Sequence, residues 1–407
     1  MRLRSVQQWM SRAALVFLAA CGGNDGSSGG FTVRDSAGVS IAENAGDGEW
    51  GRDGGWRVAD PPLVDIGVLD GAPEYQLFQV RTALRLPDGR IVVANANELR
   101  FFDGEGQHLR TVGKQGSGPG EFEGLGLLSS IPGDSILVYD LRHARASVFD
   151  AQGEFARSYR VIPPQEGGFG FAVAALSDGT LIIKSPRIFR SDFSEGLQRR
   201  DEDYYTISPV GEFLDSVGTF VGTENFVETA RDGDNFMVSI TGPPFGRTPV
   251  LTAHGEKFCF GASDIYEIRC FGADGTLERI IRRDLRNRPV TSSALERFKQ
   301  QELEDYDDDN TRRNAARRLS EMPVAETMPA YDDLEIDIGG NIWIREYAWD
   351  DGDQPRWTVF DPDGRMLGDV LLPPSFRVTQ IGEDYVLGVW RDELEVEHVR
   401  MYELVKG

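Results

Sequence analysis

The chain has 407 residues, with 66 acidic against 43 basic side chains and a formal net charge of −23 at pH 7. A surface of that sign repels polyanions, which excludes nucleic acid and anionic headgroups as general partners. With four histidines in the whole chain, a metal centre built from several histidine ligands is also excluded.

The chain opens with Arg2, Arg4 and Arg12, then an apolar run from Ala13 to Ala20 that is too short to span a bilayer. The run ends in Leu18-Ala19-Ala20-Cys21, and a Gly/Ser-rich stretch follows from Gly22 to Gly30. This resembles the lipobox of bacterial lipoproteins. The resemblance implies a signal peptide over residues 1–20 and a lipidated Cys21 as the mature N-terminus. Residues 21–61 are then a tether and N-terminal extension. Several acyl chains on one residue give stable anchoring, so the membrane is reached through the lipid alone. Gly22 directly after the cysteine implies outer-membrane sorting, with the protein facing periplasm or exterior. The competing reading is an ordinary secretory signal with an incidental cysteine.

From Pro62 onward the sequence repeats itself. One phrase, a strand ending in an aromatic, a Gly-containing turn and a second strand, occurs five times. Its copies begin at Arg100, Ser147, Tyr205, Ile268 and Thr358, with turn glycines Gly106, Gly153, Gly211, Gly275 and Gly364. A second phrase, a turn followed by an apolar strand, precedes each: PDGRIVVAN from Pro87, PGDSILVYD from Pro132, SDGTLIIKS from Ser177, HGEKFCFGA from His254 and GGNIWIRE from Gly339. A sixth copy, GEDYVLGV from Gly382, has no partner phrase after it. Strand-rich units recurring at roughly 45-residue spacing point to a β-propeller. We read six blades, near 77–113, 122–165, 168–220, 236–284, 328–373 and 374–405. The last lacks an outer strand, which PLVDIG (Pro62 to Gly67) is expected to supply, closing the ring and covering its open edges. The apolar strands of the second phrase are read as the innermost of each blade.

Two segments depart from the repeat. GKQGSGPGEF (Gly113 to Phe122) is Gly-rich, but it lacks the Lys-Ser/Thr pair and following helix of a phosphate loop. It is read as a tight crossing between blades, and nucleotide binding is excluded. Residues 291–322 carry helical signals: Ser293 and Glu296 in capping-box spacing, then ALERFKQQELEDY, an acidic knot from Asp307 to Asn310, and TRRNAARRLSEM. A helical hairpin is therefore expected between blades 4 and 5, with Arg312, Arg313, Arg317 and Arg318 on a solvated or docking face. Cys259 and Cys270 fall on adjacent strands of blade 4, and the spacing leaves both a cross-strand disulfide and two small buried residues open, because register is not legible from sequence.

DSAGVSIAEN (Asp35 to Asn44), PDGRIVVA, GSGPGEF and PGDSILVYD together resemble the bacterial six-bladed β-propeller lipoproteins with NHL-repeat-like blades. The resemblance covers nearly the whole mature chain and implies fold and cell-envelope location. Families with similar blades include scaffold proteins, a metal-using lyase and calcium-dependent lactonases.

Aligning the repeats sets Asn95, Asp140, Ser185, Ala262, Glu346 and Val389 at one level. Asn95, Asp140 and Glu346 are expected at one channel mouth, where their oxygens suit a calcium-like ion. Arg142 and Arg345 lie beside them. His143 is the one histidine expected near the mouth, whereas His108, His254 and His398 fall on outer strands or turns. Two functions follow. The first is a monomeric, lipid-anchored scaffold that binds an envelope protein, peptide or glycan without catalysis or cofactor. The second is a divalent-metal hydrolase, lactonase or lyase at the mouth.

Overall fold

A computed structural model describes residues 30–407 apart from 52–53, 134, 165–169, 188–193, 233–234, 305 and 349–353. The signal segment, Cys21 and most of the tether lie outside the described residues. The protein is all-β, and α1 (Ser292–Glu304) and α2 (Asp309–Glu321) are the α-helices among the described residues. None of the described helices is long and apolar enough to cross a membrane.

The strands form six sheets, taken here in chain order. The first holds Val80–Arg85, Ile91–Asn95, Glu98–Phe102 and His108–Val112. The second holds Leu125–Ile131, Ser135–Asp140, Arg145–Phe149 and Phe155–Arg160. The third begins Phe171–Ala175, Leu181–Pro186 and Gly196–Ile207, and continues through the long Phe213–Asp232 to Asn235–Thr241. The fourth is Val250–His254, Lys257–Gly261, Glu267–Gly272 and Leu277–Arg283. The fifth is Tyr331–Ile336, Ile342–Glu346, Arg356–Phe360 and Met366–Leu371. The sixth is Phe376–Ile381, Tyr385–Arg391 and Glu397–Val405.

The first strands of the sheets are neighbours in sequence around a circuit: first with second, and so on to sixth, and the sixth with the first. Packing follows the same circuit. Leu84, Phe101, Ile136 and Phe149 fill one interface between the first and second sheets. Val64, Val93, Leu387 and Val399 fill the equivalent one between the sixth and first. The core is thus a set of layers between sheets. A strand in the middle of a sheet is covered on both faces, which is why Ile91–Asn95 is buried at every position and reads as a continuous apolar run. His108–Val112, at the outer edge, alternates instead.

The turns of the repeated phrase have a common chemistry. The Asp103 carboxylate accepts from the Glu105 and Gln107 amides at 3.1 and 2.7 Å. Asp150 and Asp361 do the same in their turns. The glycine is required for conformation and for space. Gly153 sits at φ +79°, and a Cβ there would lie 2.8 Å from the Phe101 ring of the preceding sheet.

The N-terminal segment pairs where the sequence leaves gaps. Val64–Ile66 lies antiparallel to Val399–Met401 of the sixth sheet, at the place expected of residues 62–67. Arg57–Val58 adds a further short pairing to Leu404 and Val405. The segment read as simple extension contains a hairpin, Gly30–Ser36 with Val39–Ala45. Its second strand runs parallel to Leu277–Arg283 and widens the fourth sheet to six strands. The blade boundary expected at 236 is also corrected, because Asn235–Thr241 pairs with Phe226–Asp232 in the third sheet. The helical hairpin lies between the fourth and fifth sheets. The α1 cap is Thr291, whose hydroxyl accepts from the Ala294 amide at 3.2 Å, rather than Ser293. The acidic knot caps α2 through Asp308. Ala294 and Phe298 anchor the pair on Phe245 and Met328.

Candidate functional site

The apolar strands of the second phrase are second in each sheet, not innermost. The innermost strands are those that precede them, because these alone meet one another around the axis. Five of the six carry an extra residue at a β-bulge: Arg81, Gly126, Val173, Asp332 and Thr379. The exception, Val250–His254, pairs regularly. A bulge bends the strand and re-aims its side chain, and bulges recur beside sites.

The innermost strands surround a cavity of about 500 Å³ to which every sheet contributes, through Thr82, Ser129, Val173, Thr252, Glu335 and Thr379 among others. One strand, Tyr331–Ile336, carries most of its charge. Arg345 on the neighbouring strand donates to Asp332 at 2.6 Å and stands 3.8 Å from Asp333. Burial pushes the Asp332 and Asp333 carboxyls above the usual range, and the Arg345 charge only partly opposes this. Glu335 lies two residues deeper and faces the same cavity. It is half-buried there. Desolvation pushes its carboxyl well above the ordinary value, the Asp333 charge adds to this, and a hydrogen bond from Thr252 opposes it.

At one end this cavity meets a pocket of about 930 Å³ at the junction of the first and sixth sheets, and Arg377 lines both. Arg81, Arg391, Phe78, Glu395 and Glu397 line the pocket with it. Glu397 is buried and fully engaged: it accepts the Val80 amide at 2.7 Å and Arg391 at 3.0 Å. Arg377 donates to the Val80 carbonyl at 3.0 Å. Its pKa is lowered by burial, and the Arg391 and Arg81 charges lower it further, against Glu397 and Asp333.

The residues proposed from sequence lie at this same end, one strand further out. Asn95, Asp140 and Glu346 pair with Val80, Leu125 and Tyr331, at the start of three innermost strands. Each is committed locally. The Asn95 Oδ1 accepts the Phe78 amide at 2.7 Å. Asp140, fully buried, accepts the Glu123 amide at 2.8 Å, the Arg142 and His143 amides at 2.9 and 3.1 Å, and His143 Nδ1 at 3.0 Å. Burial pushes its carboxyl up, but these donors more than offset that and hold it below the usual range. Glu346 pairs with Arg283 at 2.5 Å. Arg345 is the one residue of the set that reaches the axial charges.

The other histidines sit apart. His108 meets Thr111 at 2.9 Å and His398 meets Asp65 at 2.7 Å. Cys259 and Cys270 are directly opposed on adjacent strands and form a disulfide. Among the described residues, no group of three or more His, Cys, Asp or Glu side chains is arranged to hold a metal ion.

Sequence reasoning missed Arg81, Asp333, Glu335 and Arg377. Their signal was the mixed polar pattern of VRTALR, YDDLEI and FRVTQI, each just ahead of a turn-plus-strand phrase.

No protein-family model matches the chain, and no curated protein matches it. Among solved structures, a member of the DUF4221 family from Bacteroides vulgatus is 11% identical, with 87% of this chain and 99% of that one covered and a TM-score of 0.48. A Bacteroides fragilis protein thought to be exported is 11% identical, covering 90% and 99%, with a TM-score of 0.46. A gluconolactonase from Xanthomonas campestris is 11% identical, covering 86% and 100%, with a TM-score of 0.39.

Proposed function

We propose that this chain is a lipid-anchored, six-bladed β-propeller of the bacterial cell envelope that serves as a binding scaffold. Cys21 carries the lipid, the outer membrane holds the anchor, and the propeller works as a monomer. The observation that carries the reading is the axial cavity, where strands of all six sheets converge on Asp333, Glu335 and Arg377. A concave site with a few converging polar groups is the usual form of a recognition site. The partner is an envelope protein, peptide or glycan that enters at the mouth, with the helical hairpin as a second surface.

The anchor is tested by labelled palmitate. Incorporation that is lost in Cys21→Ser supports it, and unchanged incorporation removes it. The partner is tested by pull-down from solubilised envelopes, with the chain intact and with residues 291–322 replaced by a short linker.

A second reading is a divalent-metal hydrolase, lactonase or lyase at the same mouth. It is favoured by one observation, that Asp333 and Glu335 stand two residues apart on one strand and face one cavity. Equilibration with calcium and other divalent ions separates the two. Near-stoichiometric metal, lost in Asp333→Asn with Glu335→Gln, supports the enzyme; none supports the scaffold.

A further inference from the structure

Several arginines of this chain sit on a carboxylate. Arg187 holds Asp203 at 2.5 Å, Arg199 holds Asp264 at 2.5 Å and Arg400 holds Asp65 at 2.9 Å. In the mouth pocket two arginines that do not, Arg81 and Arg377, line the same concavity. Arg377 spends one nitrogen on the Val80 carbonyl, and among the described residues no carboxylate lies within ion-pair distance of Arg377 or Arg81. The acids of the pocket are already engaged. Glu397 holds Val80 and Arg391, Glu395 stands 3.5 Å from Arg391, and Asp392 accepts the amides of Leu394 and Val396 at 2.8 and 2.9 Å. Two guanidinium groups therefore line one pocket with no carboxylate paired to either among the described residues, in a protein whose net charge is −23.

We propose that Arg81 and Arg377 bind the carboxylate of a small organic monoanion, whose apolar body lies on Phe78. The inference rests on the binding role of the mouth argued above and names its ligand class. A planar fork matches a carboxylate and gives paired, charge-assisted hydrogen bonds. The single charge follows from the pocket itself. Its three arginines formally balance Asp392, Glu395 and Glu397, and Asp333 lies further along the axis, so every added negative charge on a ligand adds repulsion and a monoanion is favoured over a polyanion. The apolar body follows from Phe78, which is 65% exposed within the pocket lining. A ring left in water there gains by being covered.

The test uses phenylacetate as probe, its neutral amide as isostere and inorganic phosphate as a polyvalent anion, with the full mature chain in calorimetry. Phenylacetate should bind saturably at one site and weaken with salt, whereas the amide and phosphate should bind at least roughly tenfold more weakly. Arg377→Met and Arg81→Met, which keep the apolar stem, should each cost phenylacetate roughly tenfold or more. Equal binding of acid and amide overturns the proposal on the unaltered chain, whatever the variants do to folding. Tighter phosphate binding, or unchanged affinity in folded Arg81→Met/Arg377→Met, also overturns it. If phenylacetate fails while a position-specific crosslink from the mouth still captures an envelope component, the ligand class falls and the binding role stands.

Discussion

The amide of Val80 donates a 2.7 Å hydrogen bond to the carboxylate of Glu397, across a separation of 317 residues. Val80 opens the innermost strand of the first sheet, and Glu397 opens the third strand of the sixth. Two more contacts span the same junction. Arg377 donates to the Val80 carbonyl at 3.0 Å, and Gln380 accepts the Arg85 amide at 2.7 Å. The two ends of the repeat array are therefore joined by side chains on backbone.

This junction sets the first prediction. Glu397→Ala leaves a buried amide without an acceptor and Arg391 without its closest anion, and should cost about 1–3 kcal/mol. Glu397→Gln keeps an acceptor for Val80 and should cost less. Equilibrium denaturation measures both, and equal losses would contradict the hydrogen-bond account.

Asp140 should behave as a structural cap. Its carboxylate gathers three backbone amides and His143, so Asp140→Ala should cost about 2–3 kcal/mol from unsatisfied donors. Its folded pKa lies below the ordinary aspartate value of 3.8. The stability it contributes is thus present above that value and lost as pH falls through the folded pKa. The gap between wild type and variant should narrow on acidification, as read from denaturation at a series of pH values.

Glu335 should show the opposite sign. Its folded pKa lies well above the ordinary 4.5, so the folded state holds a proton that the unfolded state has released. Stability from this site therefore falls as pH rises from 4.5 towards the folded pKa, and Asp332 and Asp333 add in the same direction. Glu335→Gln should be more stable than wild type at neutral pH and less dependent on pH above 4.5. A variant that loses stability at neutral pH would contradict this.

The Cys259–Cys270 bridge spans a sequence separation of 11. A loop of that size implies about 2–3 kcal/mol of stabilisation in the chain-entropy model. Thiol alkylation should label neither cysteine before reduction. The reduced chain should unfold at lower denaturant, with little change in folded structure, because both cysteines are buried against Ile268 and Tyr331.

The apolar pattern points to the wrong strand order within each sheet for a physical reason. The most apolar strand is not the one nearest the axis, because the innermost strand faces a polar-lined cavity on one side. Ile91–Asn95 is covered on both faces and looks like the centre. Tyr331–Ile336 lines the true centre and carries two aspartates and a glutamate. Alignment of the repeats still found the correct end of the molecule, since Asn95, Asp140 and Glu346 sit opposite the first residues of innermost strands. The turns were legible because Asp and Gly have local backbone roles. The parallel pairing of Val39–Ala45 with Leu277–Arg283 was not, because it joins segments more than two hundred residues apart with no shared turn.

The central claim is that recognition happens at the mouth. A photo-crosslinking residue at Phe78, which is 65% exposed in the mouth pocket, should capture a discrete envelope component in intact cells. The same residue at Val210, 62% exposed in an outer turn of the third sheet, should not. Capture from Phe78 alone is the predicted result. Equal capture from both positions, or capture from Val210 only, would contradict it.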